Sequence, residues 1–321
     1  MSRAFSTRHL TAIVLTAACI GNTRADVPCE LEPTFTFHHT FRRENFAVQI
    51  YEVRRSGKAV AFWAPRFAVN TDATPKSYSL DDPDGLQFAL NSLRNGFAKK
   101  KCEEGKFTTI VNRLRQLRDQ GWPRDSDQKL IDKSIIDCLS ADVFPRAPSG
   151  EPCPEVNQDG RRFLVSGTAL FNEDIKDVCN PLRYVDSMRI PAVVLPLDKR
   201  FNGLNGNFAL AWYPERRSLV LTVVGDRGPG NELGEGSIAL NAKLLGVTKM
   251  PGNRRAVERT LHISTPVFVM VLEKANGRAS AFKAPGDFLS DAEAAWRSWI
   301  GTSTSLTDVV SACAQAASRP K

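Results

Sequence analysis

Apolar side chains recur at two different periods along this chain, and the changes of period divide it. Ala47 to Val53 is a β-branched and aromatic run, Arg55 to Lys58 a turn, and Ala59 to Ala64 a second run, so a hairpin is predicted. The residues before it, 26–45, read as irregular with a short apolar alternation. Residues 70–85 are rich in Asp, Pro and Thr and read as a long loop. Helical spacing appears at Ile110, Val111, Leu114 and Leu117 and ends at Gly121 and Pro123. A second helix is predicted from Ser126 through Leu130, Ile131, Ile135 and Leu139, making residues 92–150 a helical hairpin inserted in a β-rich domain.

Strand character returns at Phe163 to Val165, Pro191 to Pro196, Phe208 to Trp212 and Ser218 to Val224. The last two runs are joined by a turn at Pro214 to Arg217, and Val267 to Leu272 closes the β-rich part. Ser237 to Leu245 predicts a short amphipathic helix. Asp291 to Ile300 and Thr307 to Ala317 predict two more. The fold class is therefore mainly β with helical additions (α+β). A catalytic-size domain spans 26–290, and a helical tail at 291–321 packs on it.

The first 25 residues change the compartment. Arg3 and Arg8 precede an apolar stretch from Leu10 to Ile20, and Thr23-Arg24-Ala25 puts small residues at the positions a signal peptidase reads. About 20 apolar residues are needed to span a membrane, so this stretch reads as a signal peptide, and no membrane association is expected after its removal. The expected location is secreted or periplasmic.

Cleavage also removes three arginines. Of 43 basic residues 40 remain, against 35 acidic, and the net charge falls from +8 to +5. That is too mildly basic to indicate nucleic acid. Lys99-Lys100-Lys101 meets Glu103-Glu104 at once and reads as a solvated surface.

Six cysteines remain besides Cys19, an even number that fits an exported, disulfide-bonded chain. Six allow 15 pairings. Pairing neighbours and tying the ends gives Cys102–Cys138, Cys153–Cys179 and Cys29–Cys313. No CxxC spacing points to zinc, and His38-His39 reads as part of a strand rather than a metal site. Trp63 and Trp212 are candidate sugar-stacking residues, whereas Trp296 and Trp299, three apart on a helix, read as core.

Chemistry concentrates between Val223 and Ser237. A strand ends in Gly225-Asp226, a loop with glycines at 228, 230 and 234 follows, and Glu235 stands just before a helix. Glycines in such a loop let a ligand approach the backbone. Glycoside hydrolysis needs two carboxyl groups on opposite sides of the scissile bond, and a loop of this length can supply them. A turn aspartate and a helix-favouring glutamate are the bland alternative.

This segment resembles the signature of the glycoside hydrolase family 75 chitosanases, a strand ending in Gly/Ala-Asp followed by Gly-Glu-Ala/Gly-Ser. The likeness extends over Ile50 to Val53, Ala61 to Trp63, Ala68 to Pro75 with Tyr78 and Asp81-Asp82, Tyr184 to Asp186, Ile190 to Pro196, and Gly234 to Leu240. It covers roughly residues 47–272 and leaves out the insert at 92–150. It implies a fold related to the double-psi β-barrel and endo-hydrolysis of β-1,4-linked glucosamine polymers with inversion. It further implies Asp226 and Glu235 as the catalytic pair, no metal or cofactor, and a polysaccharide as the partner of what is expected to be a monomer. Asp72, Tyr78, Asp81, Asp82, Asp186, Arg227 and Ser237 are the candidate substrate-binding residues. Three positions depart from the pattern: Asn70 stands where Asp is usual, Ala73 where Gly is usual and Ala192 where an aromatic is common.

The division of labour stays open at this level. A helix N-terminus beside Glu235 favours its ionised form. Arg227 does the same for Asp226 if it points inward. Asp72 is a third candidate for a direct catalytic role. Chitosan is cationic, and Asp81, Asp82, Asp84 and Asp186 are the acids available to attract it, against the basic net charge. Two other classes fit the pattern. One is a lytic-transglycosylase-like enzyme acting on peptidoglycan with one carboxylate. The other is a non-catalytic carbohydrate-binding or effector-like protein.

Overall fold

A computed structural model describes residues 29–41, 44–98, 102, 104–301 and 304–318. The expected signal peptide and the lysines at 99–101 lie outside these residues.

A nine-stranded sheet organises the molecule. Its strands in chain order are β1 (Leu31–Phe41), β2 (Glu44–Arg54), β3 (Lys58–Ala64), β4 (Ala68–Asn70), β7 (Ala192–Pro196), β8 (Asn207–Tyr213), β9 (Ser218–Gly228), β10 (Glu235–Ser237) and β11 (Val267–Asn276). A separate hairpin, β5 (Val156–Gln158) with β6 (Arg161–Phe163), lies outside it. Across the sheet the order is β1-β2-β3-β11-β8-β9-β7-β10-β4. All pairs are antiparallel except β7 with β9 and β10 with β4. Those two parallel pairs place four strands from distant parts of the chain side by side at one end of the sheet.

Alternate residues fill two cores. Leu210, Trp212, Phe268 and Met270 face one way, and Ala209, Ala211, Val267 and Val269 the other. Strands covered on both faces read as continuous apolar runs, which is why β8 and β11 alternate poorly in sequence. The first core is roofed by helices α5 (Pro285–Ile300) and α6 (Leu306–Ser318). Trp296 and Trp299 are buried there at 0% and 5% exposure, as their spacing predicts. The second core packs under α3 (Ile238–Leu245) through Leu240 and Leu244. The sheet does not close: β1 and β4 are its two edges among the described residues. The barrel expectation is corrected accordingly, because apolar side chains on both faces make a covered sheet rather than one enclosed interior.

The insert forms its own small core. Helix α1 (Phe107–Asp119) buries Phe107, Ile110, Val111, Leu114 and Leu117 against Tyr78, Leu80 and Phe144. Its predicted partner is corrected to one short helix, α2 (Lys133–Ile136). The Asp125 carboxylate accepts from the backbone N–H groups of Asp127 and Lys129, and Gln128 and Asp132 adopt positive φ, so the chain turns where a helix was expected.

Beyond the three-residue strands β4, β5 and β10, two longer elements are additions to the sequence reading. Strand β1 replaces the irregular start, pairing with β2 along its length. Helix α4 (Arg254–Leu261) is capped by Asn253 and buries only Val257 and Leu261, too thin a stripe among charges to stand out. The three disulfides formed are Cys29–Cys313, Cys102–Cys138 and Cys153–Cys179, the pairing of neighbours and ends. No helix among the described residues is long and apolar enough to cross a membrane.

Candidate active site

The parallel pairing of β7 with β9 sets the geometry. Val194 of β7 stands in register with Asp226 of β9 on one side and Glu235 of β10 on the other. Residues directly opposite in a sheet project from the same face. Asp226 and Glu235 therefore rise from one face, two strand spacings apart, about 9.6 Å at the backbone. Strand β4 lies against β10, with Asn70 opposite Ser237, and brings Asp72 alongside just after its end.

Asp226 is the best anchored of the three carboxylates. It is 9% exposed and accepts three hydrogen bonds. These come from Ala169 N at 2.7 Å, Arg227 N at 2.9 Å and Asn70 Nδ2 at 2.9 Å. Burial raises its pKa and these donors oppose the rise.

Glu235 has no comparable support. Burial, then the negative charges of Asp72, Asp226 and Glu232, push its pKa up to about 8, with only Arg66 pulling the other way. The direction runs against the ionised state expected from the following helix, because burial and like charges raise the carboxyl. Asp72 is raised to about 7 by burial and by Asp226, while the Tyr78 hydroxyl pulls it down. With Glu235 raised to about 8 and Asp72 to about 7, the site at neutral pH pairs a mostly protonated acid with a carboxyl divided between its acid and carboxylate forms.

A small cavity of about 10 Å³ opens beside Asp72 and Asp226, walled by Asn70, Thr168, Ser187 and Ser237 and by the apolar side chains of Val185, Ala192 and Val194. That is room for about one water.

Glycines in the loop serve packing as much as access. Gly234 has φ +104°, and a Cβ there would sit 2.2 Å from the Arg66 carbonyl oxygen. A Cβ on Gly228 would stand 3.0 Å from Val194 Cγ1 and 3.4 Å from Glu235 Oε2, so the Glu235 side chain lies over Gly228. Strand β1 clasps this loop from outside: Leu233 N donates to His39 Nδ1 at 2.9 Å, and Thr40 N to the Asn231 carbonyl at 2.8 Å.

The structure brings Asp72, Tyr78, Asp226, Glu235 and Ser237 together and leaves other candidates elsewhere. Ser237 lines the cavity, but its Oγ donates to the Ile190 carbonyl and accepts from Ala192 N and Leu240 N, fixing β7 and capping α3. Arg227 turns away from Asp226 and donates to the carbonyls of Pro196 and Asp198. Asp81 pairs with Arg118 and Arg162, and Asp84 with Arg94. Asp82 collects four backbone N–H groups, from Leu86 to Ala89, and organises its own loop. Asp186, raised by burial, accepts from Met188 N and has Thr74 as a second partner.

Ala169, Thr168 and Ser187 carry no motif that would have marked them; only the fold brings them to Asp226. Asn70 was marked as a departure from the pattern, and its amide is a bridge inside the site. Among the described residues no three His, Cys, Asp or Glu side chains are grouped to hold a metal. No family model matches the chain, and no curated protein matches it.

Proposed function

We propose that this protein is an exported glycoside hydrolase of the chitosanase type, cleaving β-1,4 bonds of glucosamine polymers with inversion. The observation that carries the reading is the placement of Asp226 and Glu235 across Val194 on one sheet face. A backbone separation near 9.6 Å suits carboxyls held about 6.5–9.5 Å apart, the spacing that leaves room for an attacking water. Glu235, protonated at neutral pH, is the general acid to the leaving oxygen. The Asp226 side of the cleft, with Asp72, receives the water. The disulfides and the leader-like first 25 residues support export.

Charge bears on the substrate. Asp81, Asp82, Asp84 and Asp186 are engaged with internal partners, so recognition of a cationic sugar falls to Asp72, Asp226 and Glu235. The basic net charge favours a second reading, a peptidoglycan-acting enzyme that relies on Glu235 alone.

The test is to assay the chain lacking residues 1–25 on chitosan, acetylated chitin and peptidoglycan, beside Asp226→Asn and Glu235→Gln. Loss of chitosan cleavage in both variants is expected. Anhydro-sugar release from peptidoglycan that depends on Glu235 alone would replace this reading with the second. Binding without turnover on all three would remove the hydrolase assignment.

A further inference from the structure

Two polar atoms beside the small cavity have no hydrogen-bond partner among the described residues: Asp72 Oδ1 and Ser187 Oγ, both buried from solvent. Ser187 is 3% exposed, and both residues line the same water-sized space that Asn70 and Asp226 also border. Burying such groups without a hydrogen bond costs about 1–3 kcal/mol each. Two residues that each carry such an atom border one water's volume beside the Asp226 carboxylate, and a water there could satisfy them. That carboxylate is already committed. Asp226 Oδ1 accepts two backbone N–H groups and Oδ2 accepts the Asn70 amide. Asp72 has a free acceptor oxygen and its own backbone N–H fixed on Asn70 Oδ1 at 2.6 Å.

We propose that this cavity holds the attacking water and that Asp72, not Asp226, is the general base that deprotonates it. The inference rests on the hydrolase reading above and assigns the second half of its chemistry. Asp72 Oδ1 accepts one water proton while Ser187 Oγ orients the water. The water oxygen forms a bond to the anomeric carbon as the glycosidic C–O bond breaks. Glu235 gives its proton to the leaving oxygen. Asp72 ends protonated and Glu235 ionised, and one proton exchanged with solvent resets the pair. Asp226, held by three donors, stays as the fixed negative charge under the developing oxocarbenium ion.

The groups that face Asp72 and bear on its titration are Asp226 on β9, Glu235 on β10 and Tyr78 on its own loop.

The experiment uses the chain lacking residues 1–25 on chitosan. Asp72→Asn, nearly isosteric, is expected to lower kcat about 10²–10⁴-fold with little change in KM and to remove the acidic limb of the kcat profile. Asp72→Ala in added sodium azide is expected to recover turnover and yield a glycosyl azide of inverted configuration, because azide needs no base and the shortened side chain leaves it room. Asp226→Ala should show no such rescue. Near wild-type kcat in Asp72→Asn, or a loss with the acidic limb unmoved and no azide product, would overturn the assignment while Glu235→Gln still reports on the hydrolase reading. A parent chain inactive on chitosan would defeat that reading, and this one with it.

Discussion

The Asn70 side chain joins two carboxylate residues of the cleft: its Nδ2 donates to Asp226 Oδ2 at 2.9 Å, and its Oδ1 accepts from Asp72 N at 2.6 Å. An amide does both at once because it carries a donor and an acceptor; a carboxylate in its place keeps only the acceptor. The departure at position 70 therefore does not leave a gap in the site. It lets Asp226 be charged where a third carboxylate in contact would compete with it for a proton.

Asn70→Asp should accordingly raise the pKa of both neighbours, Asp226 and the proposed base Asp72, since a like charge replaces a hydrogen-bond donor between them. The acidic limb of the pH–rate profile is expected to move to higher pH, with activity at pH 5 falling about tenfold and less change above pH 7. A profile coincident with the parent's would show that position 70 governs neither carboxyl.

Glu235 gives a stability signature independent of turnover. Its pKa in the folded protein, about 8, lies above its ordinary value of 4.5. The folded state thus holds a proton that the unfolded chain releases across that interval. Stability is full below pH 4.5, declines as pH rises through the window and is lost to this group above about 8. Glu235→Gln removes the titration. Thermal unfolding of variant and parent should agree most closely near pH 4.5, with the variant melting several degrees higher at pH 8.5. A gap independent of pH would contradict the raised pKa.

How much of this was legible in the chain depends on range. Asp226 and Glu235 lie in one local segment, and their residue types with intervening glycines mark them as a pair. What makes them face each other is Val194, some thirty residues upstream, and no periodicity announces a parallel crossover between β7 and β9. Strands β4 and β10 have three residues each, too few for a pattern. Charge type likewise does not tell where a side chain turns: Arg227, Asp81 and Asp82 are adjacent in sequence to site residues and are consumed by the scaffold. Ala73 is instructive in the other direction. The family pattern has Gly there, and the structure holds Ala73 at φ +59°, a left-handed conformation that glycine adopts without cost. The backbone requirement is present even though the residue that meets it most easily is not.

Gly228 supplies the sharpest separation of site from scaffold. It follows Asp226 by two positions on β9, on the same face, and lies beneath the Glu235 carboxyl. A methyl group there would stand 3.0 Å from Val194 Cγ1 and 3.4 Å from Glu235 Oε2. Both are side-chain atoms that can give by a few tenths of an ångström, so Gly228→Ala should fold with at most about 1–3 kcal/mol lost to overpacking. The displaced Glu235 would no longer meet the leaving oxygen in line. A shift on the order of 1 Å in a catalytic group costs about 10²-fold, so kcat should fall by roughly that factor while KM and the melting temperature change little. Substrates with a good leaving group, such as aryl glycosides, need less acid assistance and should lose much less. An equal loss on both substrate types would mean that the methyl group blocks binding rather than displacing the acid.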